Sequence, residues 1–297
     1  MGYELRKMKT FYTEKIEKSP RIELLKADLF KEPTQIESDR AVLITKSYMD
    51  TEGEAITIRR AKAFAYILDN IPITIRDNEL IVGSATKKPR SCQVFPEYSF
   101  EWLEKEFDTV ATRSADPFFI SEENKKILHE VYKYWKGKTT SELATSYMAK
   151  ETLVAMEHNI FTPGNYFYNG IGHITVNYPK VLTYGYSKII EEVEAELKSL
   201  CVGDGNYCKK HALLEGMLIS LKAVIRYAHR YADLADELAR SEQDAKRKEE
   251  LKIIAENCKR VPEFGARNFY EACQKFLVYT NAYTNGIFGT LDIARKI

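Results

Sequence analysis

The residues best placed for chemistry lie in Gly164–Leu182, which reads GNYFYNGIGHITVNYPKVL. Gly164, Gly170 and Gly172 alternate there with Tyr166, Phe167, Tyr168, His173 and Tyr178. Glycines let a backbone approach closely or take positive φ, and the flanking rings can wall a cavity. A neutral His173 imidazole could accept a hydroxyl proton, and an imidazolium could donate one. The same residues also fit a tight buried turn around a hydrogen-bonded core histidine. The residues alone leave both readings open.

The other candidates are weaker. His129, His158, His211 and His229 form no HExxH or HxH pair, so a metal hydrolase is not supported. GxSxG, GxGxxG and GxxxxGK[ST] are absent as well, which disfavours a serine hydrolase, a dinucleotide site and a phosphate loop. Cys92, Cys201, Cys208, Cys258 and Cys273 are irregularly spaced without a CxxC pair, so we expect no metal and no iron–sulfur cluster bound by this chain. Arg90, in Pro89-Arg90-Ser91, could hold a carboxylate or phosphate. An arginine on its own is a weak signal.

Charge narrows the partners. In 297 residues, Lys and Arg total 44 against 43 Asp and Glu, a net charge of +1. Basic residues are interleaved with acids, as in KRKEE, so no nucleic-acid or anionic-membrane partner is expected. The opening MGYELRKMKTFYTEK lacks an apolar signal core, and no apolar run reaches the ~20 residues of a spanning helix. Met1-Gly2 begins like a myristoylation signal, but Arg6 stands where Ser or Thr is required. These features predict a cytoplasmic protein acting on a small molecule or another protein surface.

The elements that must position the turn read as mostly helical. A first helix is expected around Ile22–Leu29. A second, capped by Ser38 or Asp39, carries Ala41, Val42, Ile44, Thr45 and Tyr48, and a third carries Ile58, Ala61, Phe64, Ala65 and Leu68. Between residues 70 and 91 the pattern predicts a turn at Arg76–Glu79 followed by a buried strand through Leu80, Ile81 and Val82. A short helix follows over Glu101–Thr109. Ser121 caps a helix with Ile127, Val131 and Trp135 on one stripe, and Thr139 with Glu142 forms a capping box. Val181, Gly185, Ile189, Val193 and Leu197 recur every four residues in one helix with Pro179 in its first turn. Lys210–Ser241 reads as one long helix with a seam of Leu214, Leu218, Leu221, Ile225, Ala228, Ala232, Ala235 and Leu238. Its small and polar positions break a strict coiled-coil pattern. Ala245–Cys258 and Phe269–Val278 are the last two helices expected.

Five stretches carry a family likeness: IESDRAVLITKSYMDTEGE, IPITIRDNELIVGSATKKPRSCQVFPE, YWKGKTTSELATSYM, GNYFYNGIGHITVNYPKVL and FYEACQKF. In this order they resemble the amino-terminal part of glycyl radical enzymes of the pyruvate formate-lyase superfamily, from about Ile22 to Leu277. They look most like the B12-independent glycerol and propane-1,2-diol dehydratases. RDNELIVG marks the wider family, whereas NYFYNGIGHITVNY and PRSCQVFPE point to the diol dehydratase branch.

The resemblance implies the fold and chemistry of that family. The fold is a ten-stranded α/β barrel holding one loop with a radical-storing glycine and another with a catalytic cysteine. This chain would form a predominantly α-helical, strand-poor amino-terminal portion, one partial domain over residues 1–297 with a divergent tail at 280–297. A separate S-adenosylmethionine/iron–sulfur activating enzyme installs the glycyl radical. The substrate is a small diol, converted to an aldehyde, and full-length relatives can dimerise. By motif match His173 would be the substrate-binding histidine. The His-Ser pair, the cysteine–glutamate motif, the partner aspartate and the radical glycine loop do not occur in these residues. The chain is therefore expected to be a truncated segment, inactive alone, with no catalytic residue of its own. Two alternatives remain: a non-enzymatic remnant or helical interaction module, and a segment of another glycyl radical lyase such as formate C-acetyltransferase.

Overall fold

The computed structural model describes residues 19–163, 167–168 and 177–286. The first helix, α1 (Pro20–Leu29), is capped by Ser19, whose Oγ accepts the Ile22 N–H at 3.3 Å. Strand β1 (Gln35–Glu37) follows, then α2 (Asp39–Asp50) and α3 (Ile56–Asn70), which stops two residues before Pro72. Strand β2 (Ser91–Gln93) precedes α4 (Glu101–Glu106) and a 3-10 turn at Val110–Thr112. Next come α5 (Glu122–Trp135), α6 (Thr140–Ser146), α7 (Lys150–Glu157) and α8 (Tyr178–Ser199). The last three are α9 (Tyr207–Ser241), α10 (Ala245–Arg260) and α11 (Phe269–Gly286).

Two helix starts follow the capping signals. Ser121 Oγ accepts the Asn124 N–H at 3.2 Å, with Glu122 and Glu123 completing the first turn of α5. Thr139 and Glu142 make both halves of the capping box on α6. Such caps pair helix-end amides that have no partner within the helix. Ser38 departs from expectation. It precedes α2 but makes no cap bond, and its Oγ donates to Asn124 Oδ1 at 2.9 Å. That bond ties α2 to α5 across the core.

The 35-residue α9 is the axis of the molecule and packs on α3, α8, α10 and α11. Its seam is the expected one at Ile225, Ala228, Ala232 and Ala235, which are buried, and differs on either side of them. Leu214, Leu218 and Leu221 are only half-buried, while Ala223, Tyr227, Ala228, Tyr231, Ala232 and Ala235 are fully enclosed. The alanines let neighbouring helices approach, and the two tyrosines bury their rings while keeping a partner for each hydroxyl. On the other side α2 packs on α3 and α5. There Trp135 Nε1 donates to Thr45 Oγ1 at 2.7 Å, and the Phe100 ring stacks on Tyr132 at 4.8 Å.

Strand content is small. β1 and β2 are parallel, with Gln35 opposite Ser91, Ile36 opposite Cys92 and Glu37 opposite Gln93. A bridge from Gln35 to Phe119 adds one further contact. The described residues thus contain two three-residue strands and no closed ten-stranded barrel. The strand expected at Leu80–Val82 is also absent, although Val82 is fully buried. A side chain replaces the strand neighbour: Gln274 Oε1 accepts the Val82 N–H at 2.9 Å, and Gln274 Nε2 donates to Val82 O at 2.6 Å. Among the described residues, no helix is long and apolar enough to cross a membrane.

Candidate functional site

His173 lies outside the described residues, as do Gly164, Tyr166, Asn169, Gly170 and Gly172. What the structure places is the frame on either side of them. Upstream, Ser99 Oγ donates to Tyr168 O at 2.7 Å, and the Phe167 and Tyr168 rings meet edge to face at 5.0 Å. Downstream, Asn177 Oδ1 accepts the Lys180 N–H at 3.1 Å and starts α8. Pro179 sits in that first turn, and the Tyr178 ring lies 5.4 Å from Phe276.

The unbroken four-residue stripe of α8 concealed a kink. Gly185 has φ 77° and ψ −179°, so the helix breaks there. Tyr186 N–H donates to Pro262 O and Ser187 N–H to Glu263 O, each at 3.0 Å, while Leu182 O accepts the Ala266 N–H at 2.9 Å. Lys275, a buried cation, donates to Val181 O and, at 3.0 Å, to Phe264 O. Burial pushes its amine down to about 8, and the Arg260 guanidinium adds to the effect. The neighbouring Glu271 carboxylate feels the same burial in the opposite direction. Hydrogen bonds from Arg267 outweigh that and hold it below the usual carboxylate range. Sequence reasoning passed over Lys275 because one lysine on an apolar helix carries no signal until its acceptors are known.

A second network holds the PRSCQVFPE stretch. Gln93 Oε1 accepts the Arg40 N–H at 3.0 Å, and Gln93 Nε2 donates to Ala85 O at 3.1 Å and Glu37 Oε2 at 3.3 Å. Glu37 also accepts the Lys87 and Lys88 N–H groups, at 3.0 and 3.1 Å. The fully buried Arg40 forks onto Glu97 at 2.5 and 3.1 Å, with its guanidinium 3.6 Å from the centre of the Phe95 ring. Arg90 serves the frame too: it donates to Thr34 Oγ1 at 3.2 Å, and its guanidinium lies 5.3 Å from the Phe30 ring centre.

A third network holds RDNELIVG. Arg76 pairs with Glu79 at 3.2 Å, and Asn78 takes φ 67° at the turn. Arg21 donates to Asn78 O at 2.9 Å, while Arg247 donates to Glu79 O at 2.7 Å and Arg76 O at 3.1 Å. Burial raises the Glu79 carboxyl above its ordinary value despite these arginines. The buried Tyr231 hydroxyl accepts the Ser84 N–H at 2.9 Å, and Tyr227 donates to Ser84 O at 3.2 Å.

The histidines that are described have ordinary settings. His129 packs edge-on against Phe107 at 4.6 Å, His211 lies 3.6 Å from Glu215 and His229 3.3 Å from Glu263. Burial pushes the Cys258 thiol up to about 12, so it is inert at neutral pH. Among the described residues no three His, Cys, Asp or Glu side chains cluster as metal ligands. An apolar groove of about 650 Å³ runs between α3, α8 and α9, past Ile56, Phe64, Ile189, Met217 and Leu221.

These networks hold the PRSCQVFPE and RDNELIVG residues in place, and comparison with known proteins says whose motifs they are. The model of the pyruvate formate lyase-like family matches residues 12–285. The chain belongs to that family. It groups with the glycyl radical enzymes of this superfamily and is closely related to the glycerol and propanediol dehydratases. A structure concerned with 1,2-propanediol dehydration in Roseburia inulinivorans is 55% identical, with a TM-score of 0.89 over 92% of this chain and 32% of that one. The glycerol-bound B12-independent glycerol dehydratase of Clostridium butyricum is 49% identical, with a TM-score of 0.88 over 92% of this chain and 35% of that one. The (2S)-3-sulfopropanediol dehydratase of Klebsiella oxytoca is 31% identical over 262 residues, which is 86% of this chain and 32% of the relative. The chain thus spans about a third of the length of these relatives. In this pyruvate formate lyase-like chain, PRSCQVFPE and RDNELIVG are framing elements, held by buried ion pairs and backbone contacts.

Proposed function

We propose that this chain is a segment of a cytoplasmic glycyl radical lyase that dehydrates propane-1,2-diol or glycerol to an aldehyde. The carrying observation is the 55% and 49% identity to the structures concerned with propanediol dehydration and glycerol binding, against 31% to the sulfopropanediol enzyme. In this reading the segment contributes the helical amino-terminal portion of a ten-stranded barrel. The remainder of the longer enzyme supplies the radical glycine, the thiyl cysteine and the His-Ser pair. A separate S-adenosylmethionine/iron–sulfur enzyme installs the radical, and the assembled enzyme can dimerise.

Within that enzyme His173 contacts a diol hydroxyl. A carbon radical beside one hydroxyl makes loss of the neighbouring hydroxyl easier, and the leaving group needs a proton. An imidazole can orient the substrate hydroxyl or pass that proton. Abstraction of hydrogen from carbon requires the thiyl. The 297 residues as they stand contain neither of the family's two radical-bearing loops, so the segment alone is expected to be inactive.

The test is an anaerobic reconstitution of the segment with the carboxy-terminal portion of a diol dehydratase and the activating enzyme. Propane-1,2-diol, glycerol and (2S)-3-sulfopropanediol are offered in parallel. Aldehyde from the two simple diols supports the reading. Turnover confined to the sulfonate moves the chain to the sulfopropanediol branch. A glycyl radical with no diol turnover moves it to another lyase, such as a formate C-acetyltransferase, and no radical at all leaves the remnant or interaction-module reading. Genomic DNA around the codons for residues 280–297 provides an independent check, because a second reading frame encoding the cysteine and glycine motifs supports a longer dehydratase.

A further inference from the structure

The geometry points to Gly185 and Gly265 as positioning residues that lock the first two turns of α8, Tyr178–Tyr184, at a fixed angle to the rest of that helix. Those turns carry the chain out of the glycine-aromatic stretch. A glycine at a helix break is conformationally permissive, so an unsupported break at Gly185 would let the two halves of α8 swing.

The segment 262–266 removes that freedom from both sides. Before the break, Leu182 O accepts the Ala266 N–H at 2.9 Å. After it, the Tyr186 and Ser187 N–H groups donate to Pro262 O and Glu263 O at 3.0 Å. The segment is itself anchored to the end of α10, because Phe264 N–H donates to Arg260 O at 2.9 Å and Val261 N–H to Asn257 O at 2.8 Å.

The contact is backbone against backbone, which is why glycine stands on both sides. A Cβ on Gly185 would overlap Glu263 O and lie 2.5 Å from Phe264 Cα, and φ 77° is itself unfavourable for an L side chain. A Cβ on Gly265 would overlap Thr183 O and lie 2.8 Å from Thr183 C. Neither obstacle is the end of a flexible side chain, so neither can rotate aside. Gly216 provides a contrast: its Cβ would meet Ala61 and Thr57 at 3.5 Å, an ordinary contact.

The link to catalysis rests on the dehydratase reading above. The lock itself does not, and it is measured on the 297-residue chain by hydrogen exchange. Gly265→Ala is expected to speed exchange tenfold or more in peptides covering 177–187 and 262–266, with α2 and α5 unchanged and Gly216→Ala behaving like the parent. No acceleration, or equal acceleration in α2 and α5, would overturn the lock, because the contact would then contribute only general stability. If Gly265→Ala does not fold, exchange of the parent in rising denaturant decides. The Tyr186, Ser187 and Ala266 amides are expected to open together, and separate openings would overturn the lock. In the reconstituted enzyme, Gly265→Ala is expected to raise KM for the diol tenfold or more at unchanged glycyl radical yield. An unchanged KM would remove the positioning role. A parent pair with no turnover would count against the dehydratase reading and leave exchange to judge the lock.

Discussion

Glu97→Gln is the sharpest probe of the frame around the PRSCQVFPE stretch. Arg40 is completely buried, and Glu97 accepts two of its N–H groups, at 2.5 and 3.1 Å. The substitution keeps the shape of the side chain and removes its charge, so a guanidinium stays in the core beside a neutral amide. Breaking a buried pair in this way costs about 3–5 kcal/mol. The glutamine carbonyl still accepts one hydrogen bond and Val94 O another at 3.3 Å, so the lower end, about 3 kcal/mol, is expected. For a chain of this size that is a fall in Tm of about 5 °C. Replacing both partners, Arg40→Met with Glu97→Leu, should recover most of the loss, because no buried charge is left alone. Urea denaturation followed by Trp102 and Trp135 fluorescence measures all three proteins. A loss below about 1 kcal/mol in Glu97→Gln would mean that water reaches Arg40, and the buried-pair reasoning would be wrong.

Three further outcomes follow from the same structure. Gln274→Leu orphans the N–H and C=O of buried Val82, at about 1–3 kcal/mol for each; denaturation within about 0.5 kcal/mol of the parent would show that another group takes over. Alkylation of the native chain should modify the exposed Cys201 and Cys208 and spare Cys258, whose thiol is buried and has its pKa pushed up to about 12. Fast labelling of Cys258 without unfolding would contradict its placement. Finally, the Lys275 amine sits at about 8 when folded against 10.5 ordinarily, so between those values the unfolded chain binds the extra proton. Stability should therefore rise with pH across that window relative to Lys275→Met, with the burial penalty fully present below it. A difference curve that is flat or falls would refute the burial of a charged amine.

Local signals were legible where the sequence itself supplies the partner. Thr139 and Glu142 satisfy each other's backbone groups, so the start of α6 could be read directly, and so could Ser121 before α5. What escaped the reading depends on distant partners. Ser38 looks like a cap until Asn124 takes its hydroxyl from 86 residues away. Leu80–Val82 looks like a strand because the run is apolar, yet a glutamine 192 residues away fills the hydrogen bonds a neighbouring strand would provide at Val82. Gly185 sits on the apolar stripe of α8, and only the backbone of 262–264 shows why the helix breaks there. Strands β1 and β2 are three residues each, too short for alternation to register. The ordered motif set pointed to the family without any of these details, because it depends on residue identity along the chain and not on contacts.

The dehydratase reading is tested most directly at His173. The measurement is aldehyde production from propane-1,2-diol by the anaerobically reconstituted pair, with the glycyl radical quantified by electron paramagnetic resonance, for parent and His173→Ala segments. The variant removes one hydrogen bond to a substrate hydroxyl and leaves the turn's glycines in place. It should form the same amount of radical and lose about 1.5–3 kcal/mol of transition-state stabilisation, roughly ten- to hundredfold in kcat/KM. Full aldehyde production by His173→Ala would remove that histidine from the site, and aldehyde from the segment alone would contradict its dependence on a second portion of the enzyme.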